Sequence, residues 1–94
     1  MDKKFIHESA FISKYASVGA NVQIWHFTHI RENAIIGENV SIGQNVYIDK
    51  NVIIGNNCKI QNNVSIYDGV KIGNDCFIGP SVVFPNDKYP DVNY

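Results

Sequence analysis

An all-β chain, wound as a single-stranded parallel β-helix of about four coils, is the fold that three features of this 94-residue sequence predict. Every sixth residue from Ile6 to Ile78 is isoleucine or valine. Four positions after each comes a small residue, from Ala10, Ala16, Val22 and Thr28 through to Val82. Between these apolar segments lie pairs of turn formers, with Asn in the second place at every hexad from Asn33 to Asn63. Neither an α-helix nor a hairpin sheet has a six-residue period.

Each element follows from this pattern. A hexad such as Val40-Ser41-Ile42-Gly43 reads apolar, polar, apolar, small, which is a short strand with one buried face. The pairs that follow, among them Glu38-Asn39, Gln44-Asn45 and Lys50-Asn51, are corners, because Asn is, after Gly, the residue that best tolerates the left-handed backbone region. Strands this short, joined by corners of one kind, wind in one sense and stack successive turns about 4.8 Å apart. Cys58 and Cys76 fall 18 residues apart at inward small-residue positions, so they are read as core packing, with too few companion ligands for a metal. The expected organisation is one domain over 1–94, with the coil at 6–83 and a loop or end at 84–94. A repeat stack buries each apolar edge only against its neighbour, so terminal repeats need a cap or a partner.

Composition narrows the function classes. A net charge of -1, from 8 basic and 9 acidic residues scattered along the chain, gives no footprint for nucleic acid or an anionic membrane. Met1-Asp2-Lys3-Lys4 leads into the repeat without the apolar run of a signal peptide or membrane span, and the expected location is the cytoplasm.

Stacking residues 18 apart sorts outward positions into columns. One face carries Gly19, Gly37, Gly55 and Gly73 beside Ser17, Ile35, Ile53 and Lys71. A glycine column lets another backbone approach, and exposed Ile35 and Ile53 favour a covered surface, so this face is the expected oligomer contact. A second face is polar, with His29 and Arg31, Tyr47 and Asp49, Ser65 and Tyr67. At its edge runs the corner column His26, Gln44, Asn62 and Pro80, with Trp25 just before it. Donors, acceptors and rings on rigid rungs suit a sugar or nucleotide. Asn45 and Asn63 are explained by corner geometry alone. Trp25, His26 and Phe27 interrupt the Gly-x-Asn corner pattern, and such local violations mark functional sites.

Three segments carry a resemblance, in order: Ile24-Trp25-His26-Phe27-Thr28-His29-Ile30, then Cys58-Lys59-Ile60-Gln61-Asn62-Asn63-Val64-Ser65-Ile66-Tyr67-Asp68-Gly69-Val70, then Gly79-Pro80-Ser81-Val82-Val83-Phe84 followed by Pro85-Asn86-Asp87-Lys88-Tyr89-Pro90. The chain resembles the hexapeptide-repeat, left-handed β-helix acyltransferases, and among them the N-acetyltransferases that acetylate a 3-amino group on a UDP- or dTDP-linked sugar. The resemblance implies the left-handed sense, since parallel crossovers are otherwise right-handed. It also implies a homotrimer through the Gly19/Gly37/Gly55/Gly73 and Ile35/Ile53 face, acetyl-CoA as co-substrate, no metal, and a place in surface-polysaccharide (O-antigen) synthesis. Asn86 matches the family's loop asparagine and would orient the amine, although an amide cannot act as a base. His29 is the second catalytic candidate, able to accept a proton near neutral pH. Trp25, His26, Gln44, Asn62, Tyr67 and Asp68 are the expected substrate contacts.

Pro85 and Asp91 stand where the family has threonine and arginine, which removes a fork of donors near a diphosphate. The resemblance covers the family's first half, and much of the CoA site is expected from later coils. Two other readings share the coil: a non-catalytic trimer that binds a nucleotide sugar, and a zinc carbonic anhydrase, which would need His7, His26 and His29 to converge.

Overall fold

A computed structural model describes residues 1–86. Two-residue strands recur at six-residue intervals and stack into three parallel sheets. The first sheet holds β1 (Phe5–Ile6), β4 (Gln23–Ile24), β7 (Ser41–Ile42), β10 (Lys59–Ile60) and β13 (Phe77–Ile78). The second holds β2 (Phe11–Ile12), β5 (His29–Ile30), β8 (Tyr47–Ile48), β11 (Ser65–Ile66) and β14 (Val83–Phe84), and is the polar face. The third holds β3 (Ser17–Val18), β6 (Ile35–Ile36), β9 (Ile53–Ile54) and β12 (Lys71–Ile72), and is the glycine face. Every pairing joins residues 18 apart, as in Ile36 with Ile54 and His29 with Tyr47.

The aliphatic columns fill the inside of this prism. Ile24, Ile30, Ile42, Ile48 and Ile66 are fully buried, as are Val22, Val52 and Val64. Each such burial stabilises the chain by about 1.5–3 kcal/mol. At the first coil the column opens, and Ile6 is exposed. Cys58 is buried with its thiol donating to the Gly73 carbonyl at 3.1 Å, and burial pushes that thiol's pKa up. Thr28, the buried polar residue of the small column, donates its hydroxyl to the Gly43 carbonyl at 2.7 Å and accepts from the Val46 N–H at 3.3 Å.

The corners have the expected geometry. Asn33, Asn39, Asn45, Asn51, Asn57 and Asn63 all lie at φ between 55° and 63°. Their N–H groups bond the coil before, as from Asn45 to His26 and from Asn63 to Gln44. A further asparagine ladder occupies the preceding corner place. The Asn56 side chain accepts from the Glu38 N–H at 2.9 Å, and Asn74 does the same for Asn56 at 2.8 Å.

That ladder gives the glycine column a role inside the chain. A Cβ on Gly37 would sit 2.8 Å from the Gly55 carbonyl carbon and against Asn56 Oδ1, and one on Gly19 would sit 2.7 Å from the Gly37 carbonyl carbon. The close backbone approach that these glycines permit is to the next coil of the same chain. Among the described residues, no helix is long and apolar enough to cross a membrane.

Candidate functional site

The first sheet and its corner with the polar face hold an open groove of about 440 Å³. Trp25, His26, Gln44 and Asn62 line it, four of the expected substrate contacts, together with Ser41, Gly43 and Gln61. Its position follows from the columns. Trp25, Gly43 and Gln61 stand 18 residues apart on successive rungs, with the tryptophan at one end and the glutamine at the other, and between them the place of a Gly43 side chain is taken by Asn62 Oδ1 and the Gln61 backbone. Asn62 Oδ1 accepts from the Gln44 N–H at 3.0 Å, which fixes the amide and leaves its NH2 group toward the groove.

The rings around Trp25 brace it. Phe5 packs at 4.9 Å between ring centroids, and His26 lies nearly parallel to the indole, at 13° and 6.3 Å. His26 rests on His7 at 3.6 Å. The His7 Nδ1 accepts from the Ser9 N–H at 3.1 Å and meets the Ser9 hydroxyl at 2.9 Å, so the ring proton belongs on Nε2. Phe27 takes the corner place that Asn fills elsewhere, at φ 58°, with its N–H on the Ser9 hydroxyl.

On the polar face itself an aromatic ladder runs from Phe11 to His29 (5.0 Å), Tyr47 (5.8 Å) and Tyr67 (5.8 Å). Arg31 donates to the Tyr47 hydroxyl at 2.9 Å, and that hydroxyl donates to Asp49 at 3.2 Å. Hydrogen bonds from Arg31 hold the Glu32 carboxyl below its ordinary range, and Glu32 in turn tightens the guanidinium's hold on its proton. Asp68 accepts from Asn51 at 3.2 Å and lies 3.8 Å from Lys50, so this expected substrate contact is engaged with its own corner.

The two catalytic candidates do not converge within one chain. His29 pairs with Tyr47, Tyr47 with Ser65, and Ser65 with Val83, which places His29 three rungs, about 14 Å, from the level of Val83. Asn86 lies two residues beyond the pairing of Phe84 with Ile66. Among the described residues no three His, Cys, Asp or Glu side chains come together, and while His7 meets His26, His29 belongs to the polar-face ladder. The sequence reading sorted two faces and passed over the third, so Ser41, Gly43 and Gln61 were missed. The signal was present in the column Trp25, Gly43, Gln61, where a large ring is followed by no side chain at all.

The repeat decides the family. A family model, bacterial transferase hexapeptide (six repeats), matches residues 15–50 and again 51–86. The chain belongs to the bacterial transferase hexapeptide family. Its coil is the left-handed parallel β-helix of those hexapeptide transferases. A mutant GDP-perosamine N-acetyltransferase from Caulobacter crescentus, solved with CoA and GDP-perosamine, superposes with a TM-score of 0.67 at 22% identity over 89% of this chain and 49% of that one. Another structure of the Caulobacter crescentus enzyme, also with CoA and GDP-perosamine, gives 0.53 at 20% identity with the same coverage. The hexapeptide chain thus spans about half the length of these enzymes, and the likeness is one of fold. No curated protein sequence matches it.

Proposed function

We propose that this protein is an N-acetyltransferase that moves acetyl from acetyl-CoA to the 3-amino group of a UDP- or dTDP-linked amino sugar, in the cytoplasm, for surface-polysaccharide synthesis. The observation that carries this reading is the layout of the ligand-facing side. Trp25, His26, Gln44 and Asn62 gather at one edge of the polar face, and Tyr67, Asp68 and Asn86 stand at its other edge. The two edges lie six residues apart along a rung, at most roughly 20 Å, which suits a long ligand with different groups at its two ends. The comparison enzyme that was solved with CoA and a nucleotide-linked sugar supports the same class.

The chemistry asks little of a base. The amine lone pair forms the C–N bond to the thioester carbonyl, the tetrahedral intermediate expels the thiolate, and the proton lost from nitrogen leaves with sulfur as free CoA thiol. Asn86 aims the amine through its side-chain amide, so positioning is its contribution. His29, three rungs from the level of β14, contributes to the ligand face rather than to the same amine. A homotrimer is part of the proposal, with the half-exposed Ile35 and its neighbour Ile53 as the covered apolar patch.

Thiol release from acetyl-CoA, measured against UDP-, dTDP- and GDP-linked 3-amino and 4-amino sugars, tests the reading. Turnover with a UDP- or dTDP-linked 3-amino sugar is the expected result. Turnover only with a GDP-linked 4-amino sugar would overturn the substrate assignment, and no turnover with any of them would overturn the activity.

A further inference from the structure

We infer that the open groove between Trp25 and Gln61 is a nucleobase slot, in which a flat heteroaromatic ring stacks on Trp25 and has its edge read by the carboxamides of Gln61 and Asn62. The inference rests on the reading of the protein as one that binds a nucleotide, and it assigns the end of that ligand which the acetyl-transfer chemistry leaves open.

Spacing is the first argument. Trp25 and Gln61 are two rungs apart, roughly 9.6 Å. Contact layers of about 3.5–4 Å on either side of an inserted ring fill that height with one ring and no more. No side chain projects into the groove from the intervening rung at Gly43, where Asn62 Oδ1 takes the Cβ position. Neighbouring Ser41 is small, so the slot opens to solvent on that side.

The second argument is the quality of the platform. Trp25 is 40% exposed, yet it is braced by Phe5 and extended by the nearly parallel ring of His26. The third is charge. Gln44, Gln61 and Asn62 are uncharged amides, each carrying donor and acceptor, and no lysine or arginine lines the groove. Among the described residues, such a lining suits the edge of a neutral base better than a diphosphate. The base has two possible sources, the sugar nucleotide and the adenine of CoA.

Trp25 is the chain's one tryptophan, so its fluorescence reports the slot directly. The full chain is titrated with UDP, dTDP, GDP and 3′,5′-ADP, with glucose 1-phosphate as a ligand lacking a base. Calorimetry repeats the titrations on folded Trp25→Ala and Gln61→Ala. Saturable quenching by a nucleotide but not by glucose 1-phosphate is expected, with affinity falling about tenfold or more in Trp25→Ala. Quenching by UDP, dTDP or GDP assigns the slot to the sugar nucleotide, and quenching by 3′,5′-ADP alone assigns it to CoA. Nucleotide binding with unchanged fluorescence and unchanged affinity in Trp25→Ala overturns the slot while leaving the acetyltransferase reading standing. Quenching by nucleotide in a protein that releases no thiol keeps the slot and removes the acetyltransferase. Absence of binding by every nucleotide overturns the slot outright.

Discussion

The backbone N–H of Phe27 donates to the Ser9 hydroxyl one coil earlier, at 2.9 Å, and the corner it fixes stands at φ 58°. Six asparagines from Asn33 to Asn63 occupy the same backbone region at the equivalent place. A side chain of ordinary L-residue bulk pays roughly 1–2 kcal/mol there. Phe27 is also exposed, so its ring recovers little by burial. Phe27→Asn is therefore expected to raise stability by about 1 kcal/mol. Ser9→Ala, which orphans the N–H, is expected to lower it by a similar amount. Chemical denaturation midpoints of the two variants check both signs.

Two glycines in different columns, Gly37 on the glycine face and Gly79 above Gln61, give a contrast. Gly37→Ala drives a methyl group into Asn56 and the Gly55 carbonyl, and overpacking of that kind costs about 1–3 kcal/mol. Gly79 has nothing within 4 Å of the equivalent position, so Gly79→Ala should change stability little. Equal losses from both substitutions, measured by thermal melting, would remove the packing explanation.

A core position sets the upper scale. Ile48 is fully buried between rungs, and Ile48→Ala is expected to cost about 2–5 kcal/mol, readable as a lowered urea midpoint.

Acid sensitivity should trace in part to Glu32. Its carboxyl is held below the ordinary value of 4.5 by hydrogen bonds from Arg31, so the stabilisation is present above that value and is lost as pH falls through the lower folded value. Glu32→Gln should flatten the stability profile below about pH 4.5 and leave its slope at pH 6–8 unchanged, as urea midpoints across that range will report.

The trimer proposal makes a surface prediction. Introducing charge at the exposed apolar patch with Ile35→Asp and Ile53→Asp together should convert a trimer into monomers by sedimentation, since an unpaired carboxylate cannot be buried cheaply. A wild-type protein that sediments as a monomer would refute it directly.

The fold was legible because each level of the sequence points the same way. Ile36 and Ile54 had to face inward on neighbouring rungs once the period was 18, and Asn45 and Asn63 had to be corners once left-handed backbone was needed there. The site was legible only where it broke that pattern, at Trp25, His26 and Phe27. Gly43 and Gln61 escaped because a groove is shaped by several rungs together, and residue type alone does not mark it. The intrachain role of the Gly37 column was hidden for a related reason: glycine reports a close approach without saying whose backbone approaches. The engagement of Asp68 with Lys50 and Asn51 was hidden because those partners come from the coil before it, 17 or 18 positions earlier in the chain.

The 18-residue register also dictates how such a chain can change in length. Removing one complete turn shortens the prism and leaves every later column on its own face. Removing a single hexad rotates everything after the cut by a third of a revolution, so glycines would follow tyrosines and the wall bearing Ile53 would be split between two sides. Natural insertions and deletions within the coil should therefore come in eighteens, with other lengths confined to loops thrown out at a corner.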